Sequence, residues 1–102
     1  MRTLALDQAS RITGWAVFDD GELYNYGKFT ATQTDVGDRL HFIRKEVLGL
    51  IDKFDIEEVV FEDIQLQNNV VNNVATFKAL AEVFGVLHEL FVDLKMPRTA
   101  VL

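Results

Sequence analysis

The sequence predicts an α/β domain in which a three-stranded antiparallel meander is extended by parallel strands and flanked by helices. Three observations carry that expectation. The first thirty or so residues alternate or run apolar, broken by turn signals, which is the pattern of short strands. Val36, Leu40, Ile43, Val47, Leu50, Ile51 and Phe54 then recur at helical spacing. A further apolar strand follows, and a strand–helix–strand unit implies parallel pairing through a right-handed crossover.

Taken in order, residues 3–8 form the first strand and residues 14–19 the second. Asp19-Asp20-Gly21-Glu22 is a hairpin turn signal, after which residues 23–29 alternate as a third strand. Asp35 stands where the first helix needs an N-cap. Residues 57–64 give the fourth strand, and residues 65–73 a polar, asparagine-rich connector holding Leu66, Val70 and Val71. A second helix is expected over residues 73–95, with Phe77, Leu80, Phe84, Leu87, Phe91 and Leu94 along one stripe and Ala79, Val83, Val86 and Leu90 beside it. That face is wider than packing on one sheet requires, which suits either a partner surface or a helix enclosed in a larger domain. Pro97 is expected to end the helix, and residues 98–102 to open a fifth strand. A strand stub is an odd place to stop, so residues 1–102 read as one domain incomplete at its C-terminus.

Sixteen acidic residues against ten basic give a net charge of −6, which argues mildly against nucleic-acid binding by charge alone. Metal-binding acids inflate the same count, and a local basic patch survives an acidic average. The absence of cysteine excludes disulfides and thiolate metal sites. No apolar run approaches the ~20 residues that span a bilayer, and no signal-peptide pattern opens the chain, so a cytoplasmic protein with no membrane partner is the plain reading.

Asp7 is the first candidate for chemistry, because an unpaired carboxylate gains nothing from a buried strand unless a metal, a cation or water compensates it. The alternative is a turn cap, with Asp7 accepting from the backbone of Ala9 or Ser10. Glu62 comes late in the fourth strand on the face of Val60 and Ile64, leaving Asp63 on the opposite face. If strands one and four are parallel neighbours, Asp7 and Glu62 project at the same end of the sheet. They repel there unless a hard divalent cation such as Mg²⁺ or Mn²⁺ lies between them, and paired acids of this kind frame two-metal phosphodiester cleavage. Arg11 suits either a phosphate or a neighbouring acid. Thr13 and Gly14 suit a close backbone approach or a tight turn, and Lys78 suits solvent better than a ligand. His41 and His88 stand singly, and no Ser–His–Asp grouping, GxxxxGK[ST] loop or GxGxxG fingerprint is present.

The run Asp7-Gln8-Ala9-Ser10-Arg11-Ile12-Thr13-Gly14-Trp15-Ala16 resembles the first-strand motif of the RuvC family of Holliday junction resolvases, in its phage-like branch. Val59-Val60-Phe61-Glu62-Asp63-Ile64-Gln65 and the helix containing Phe77-Lys78-Ala79-Leu80-Ala81-Glu82-Val83-Phe84-Gly85-Val86 support the resemblance in the same order. It implies a ribonuclease H-like fold and a homodimeric endonuclease that cuts four-way DNA junctions with Mg²⁺ held by four carboxylates. Asp7 and Glu62 would be the first two of these, as catalytic and metal-binding residues. The family's remaining acids lie on a later helix, beyond Leu102. The resemblance also implies dimer contact through the helix from Phe77 to Leu94 and DNA contact from Arg11, Gln65, Leu66 and Lys78. Many members carry glycine where Ala9 stands and an aromatic wedge where Gln65 stands, with Leu66 a candidate substitute.

Two other readings use the same residues. A non-catalytic dimerising or DNA-binding module of this fold fits the acidic charge, and a YqgF-type nuclease fits Arg11, Gly14, Ala16 and Val17. A phosphotransfer domain of the sugar-kinase and actin superfamily opens with a similar strand–turn–strand but needs a second lobe. With two ligands a hydrated cation is weakly held, so this chain alone is expected to cleave DNA inefficiently.

Overall fold

The structure, a computed structural model, describes residues 1–64 and 74–102. Its elements run β1 (Arg2–Asp7), β2 (Ile12–Asp19), β3 (Glu22–Thr30), α1 (Val36–Lys53), β4 (Glu58–Glu62), α2 (Val74–Asp93) and β5 (Arg98–Val101). They form one five-stranded sheet in the order β3-β2-β1-β4-β5. The first three strands are antiparallel neighbours, while β1–β4 and β4–β5 pair parallel. This is the mixed α/β architecture that the sequence predicts.

The β2–β3 turn uses Asp20 at φ 50° and Gly21 at φ 85°. Two successive positive φ values match the right-handed twist of the flanking strands. On the outermost strand, Asn25 Oδ1 accepts the Tyr26 N–H at 2.8 Å. Asp35 caps α1 as expected, its Oδ2 accepting from Asp38 N at 2.9 Å. The second helix ends at Asp93, four residues before Pro97, through a turn in which Lys95 takes φ 53°. The proline therefore follows the stop and does not make it.

Strand alternation divides the sheet into two unlike faces. Leu4, Leu6, Val17, Val59 and Phe61 point to one side and are buried. Ile43, Val47 and Ile51 of α1 and Val83, Leu87, Leu90 and Phe91 of α2 complete that core. Phe61 packs on Phe84 at 5.2 Å and on Phe91 at 5.1 Å between ring centroids, which fixes β4 to α2. Trp15 packs on Phe54 at 5.6 Å and closes over the backbone of Gly27, where a Cβ would lie 2.8 Å from its ring. The opposite face carries Thr3, Ala5, Asp7, Ala16, Phe18, Tyr26, Val60 and Glu62, all half-buried or exposed. Among the described residues, both helices lie on the Leu4–Leu6 side.

Two expectations about the core change. The buried stripe of α2 takes Val83 and Leu90 from one expected stripe and Leu87 and Phe91 from the other, while Leu94 is exposed. Arg39 of α1 is buried at the helix end of that face, a position that apolar periodicity alone does not flag.

Candidate functional site

Parallel register brings the two acids together. Leu6 pairs with Phe61 across β1 and β4, and the same register continued by one residue sets Asp7 alongside Glu62. Both follow residues that point into the core, so both project from the opposite, open face. That register sets the two carboxyl groups close enough to influence one another. Glu62 is pushed above the ordinary carboxylate range, first by desolvation of its carboxyl group and second by the neighbouring negative charge of Asp7. Its outer side still meets solvent.

Neither acid has a cationic partner among the described residues. The ion pairs there join the N-terminal amine to Asp20, Arg2 to Asp19, and Arg44 to Glu89 and Asp93. Two adjacent oxygen donors that repel one another and lack a lysine or arginine fit a hard divalent cation by the chemistry of the donor set. Among the described residues no third histidine, aspartate or glutamate completes a metal cage. Among the described residues the donor set is a pair.

Small residues keep the approach to Asp7 low. A shallow hollow of about 360 Å³ beside it is floored by Ala5, Gly14, Ala16 and Gly27. Gly14 pairs with Asp7 across β1 and β2, and a Cβ there would sit 3.8 Å from that of Asp7. That is ordinary contact, so Gly14 leaves room beside the acid without being sterically required.

The other expected residues are placed less uniformly. Arg11 is exposed in the β1–β2 connection, and its Nη1 donates to the carbonyls of Ala31 at 3.4 Å and Gln33 at 3.3 Å. Among the described residues it finds no acidic partner, contrary to the ion-pair alternative, because the chain leaving β3 offers carbonyl groups at that point. Lys78 is exposed near the start of α2. The parallel β4–α2–β5 path places that helix start at the same end of the sheet as Asp7 and Glu62. Gln65 and Leu66 lie outside the described residues. Asp63 is exposed, and its Oδ1 accepts from Ile64 N at 2.7 Å. His88 packs against Phe61 and Phe84, a structural role.

Sequence reasoning missed Gln8. Its side chain is buried and hydrogen-bonded to the backbone of Glu62 at both ends, with Nε2 2.6 Å from the Glu62 carbonyl and Oε1 3.1 Å from the Glu62 nitrogen. The only signal in the sequence is a long amide directly after the strand acid.

No family profile matches the sequence, and no curated protein matches it. Solved structures do match. Thermus thermophilus RuvC in complex with a Holliday junction substrate aligns with a TM-score of 0.78 at 16% identity, over 98% of this chain and 63% of that one. A second Thermus thermophilus RuvC structure aligns with a TM-score of 0.74 at 17% identity, with the same coverage. A foamy viral protease–reverse transcriptase in complex with double-stranded DNA aligns at 0.51 and 12% identity, over 97% of this chain and 19% of that one. Identities this low speak to architecture, and the chain has the RuvC, ribonuclease H-like fold. It spans 63% of the length of the RuvC chains it matches.

Proposed function

We propose that this chain carries the first half of a divalent-metal site in a nuclease acting on branched, four-way DNA, with Asp7 and Glu62 as ligands for Mg²⁺ or Mn²⁺. The observation that carries the reading is the pairing itself. Two carboxylates meet at the C-terminal ends of adjacent parallel strands, on an open face, with no cation from the described residues paired to either. A structural role would more simply leave one acid or supply a basic partner. The fold agrees, since the RuvC structure it matches is bound to a Holliday junction.

A bound cation would supply an activated water and stabilise charge on the leaving oxygen of a phosphodiester. Asp7 and Glu62 would hold it at the rim, where its charge would relieve their mutual repulsion. Arg11, its Nη1 held by the Ala31 and Gln33 carbonyls, and the exposed Lys78 lie at the same end and would meet DNA phosphates, with Gln65 and Leu66 as further contacts by the RuvC resemblance. A local positive contribution of this kind is needed because the chain as a whole is acidic. The α2 face, with Val74 at 70% and Val92 at 52% exposure, is the surface for a second copy in a homodimer. With the pair of donors found among the described residues the ion would be weakly held, so slow cleavage by this chain alone is the expectation.

The test is Mn²⁺ titration followed by NMR, together with incubation on labelled four-way junctions. Selective broadening of Asp7 and Glu62 at low Mn²⁺, lost in Asp7→Asn, supports the reading. No broadening at either residue refutes the metal site and favours a non-catalytic module of the same fold.

A further inference from the structure

Gln8 follows the last residue of β1, where the chain turns away toward Arg11 and its backbone can no longer pair with β4. The last ladder pair is Leu6 with Phe61. A polar side chain at such a strand end ordinarily reaches water, yet Gln8 is only 7% exposed. Its amide binds both backbone groups of one residue 54 positions away, donating to the Glu62 carbonyl at 2.6 Å and accepting from the Glu62 N–H at 3.1 Å. The side chain does for Glu62 what a neighbouring peptide does inside a sheet.

The choice of residue type is specific. Only a primary amide offers a donor and an acceptor side by side with the spacing of a peptide group. A glutamate in its place lacks the donor, a lysine lacks the acceptor, and an asparagine is one methylene short. The amide orientation is also fixed, because the reversed group would set its NH₂ against the Glu62 N–H. Gln8 and Asp7 are consecutive, so a clamp on the Glu62 peptide through Gln8 ties the spacing of the two carboxylates to one short piece of chain.

We propose that Gln8 is a positioning residue that holds the Glu62 backbone at the end of β4, so that its carboxylate remains beside that of Asp7 in a geometry one divalent cation can bridge. This rests on the metal reading given above, and groups that orient metal ligands typically change affinity by 10–100-fold when removed. A residue that merely closed a strand end would affect melting without affecting the ion.

The test compares the wild type with Gln8→Met, which fills the same space without either hydrogen bond. Gln8→Asn serves as a second variant should Gln8→Met fail to melt cooperatively. Three readouts are needed: thermal melting, hydrogen exchange of the Glu62 amide without metal, and Mn²⁺ affinity from broadening at Asp7. The expected result is exchange at Glu62 faster by about tenfold while core amides keep their protection. Mn²⁺ binding is expected to weaken by at least about tenfold. Unchanged exchange at Glu62, or unchanged Mn²⁺ affinity alongside faster exchange, overturns the positioning role. If the wild type shows no Mn²⁺ binding, the metal reading falls and the positioning role falls with it. The exchange data then show whether the clamp on the Glu62 peptide still exists as a purely structural feature.

Discussion

Neutralising either acid of the pair should stabilise the metal-free protein near neutral pH, and a divalent cation should reverse that order. Because the folded-state pKa of Glu62 lies above its ordinary value, the folded state holds that proton more tightly than the unfolded chain. This contribution is fully present below the ordinary carboxylate pKa and is lost as pH rises through the raised folded value. At pH 7 the pair is an uncompensated repulsion. Both residues are exposed, so the repulsion is close to its value in water, about 1 kcal/mol at contact range and about 0.5 kcal/mol after screening by salt. For a domain of this size that corresponds to a rise of about 2–8 °C in Tm for Glu62→Gln or Asp7→Asn in the presence of a chelator. Melting curves between pH 4 and pH 8, with chelator and then with millimolar Mg²⁺, measure it. The advantage of Glu62→Gln should shrink toward pH 4, and Mg²⁺ should raise the Tm of the wild type alone. Variants no more stable than the wild type at pH 7 in chelator, or stabilised equally by Mg²⁺, would refute the electrostatic account of the pair.

Gly27→Ala places a Cβ 2.8 Å from the Trp15 ring. Overpacking of about 1–3 kcal/mol, partly offset by about 0.5–1 kcal/mol of unfolded-state entropy, gives a net loss measurable by urea unfolding. Trp15 is the single tryptophan, so its fluorescence should shift in the folded protein. Asp35→Ala removes the cap on Asp38 N and should cost about 1 kcal/mol, read as a lower urea midpoint at unchanged m-value. Val74→Lys with Val92→Lys charges two exposed positions 18 residues apart, which five helical turns set on one face of α2. Sedimentation velocity should show a lower-mass species than the wild type, with a melting temperature that no longer rises with protein concentration.

Much of this arrangement was legible in the sequence because it follows from local patterns. Asp20-Gly21 specifies its turn by φ, Asp35 specifies its cap by side-chain length, and period-two alternation assigns Asp7 and Glu62 to one face once β1 and β4 are taken as neighbours. What escaped depends on contacts between distant segments. Gln8, read as the last residue of the first strand, shows no role until a backbone 54 residues later is brought against it. The α2 core stripe draws on both apolar stripes because the helix is apolar over a wide arc, and only the position of Phe61 decides which arc faces the sheet. Arg39 is buried on α1, its Nε included, a use of a charged residue that hydropathy does not reveal. Helix termination at Asp93 comes from a left-handed turn at Lys95, a residue with no strong preference for that conformation.

The amide of Asn25 has a consequence for how copies of this chain meet. By occupying the Tyr26 N–H, it removes one of the donors that an incoming strand would need, and β3 becomes a poor template for edge-to-edge growth. Continuation of the sheet is thereby disfavoured at the β3 edge, while β5 remains the other edge of the sheet. Asn25→Ala offers a direct check, since freeing that donor should raise the tendency to form β-rich aggregates while leaving any specific dimer intact.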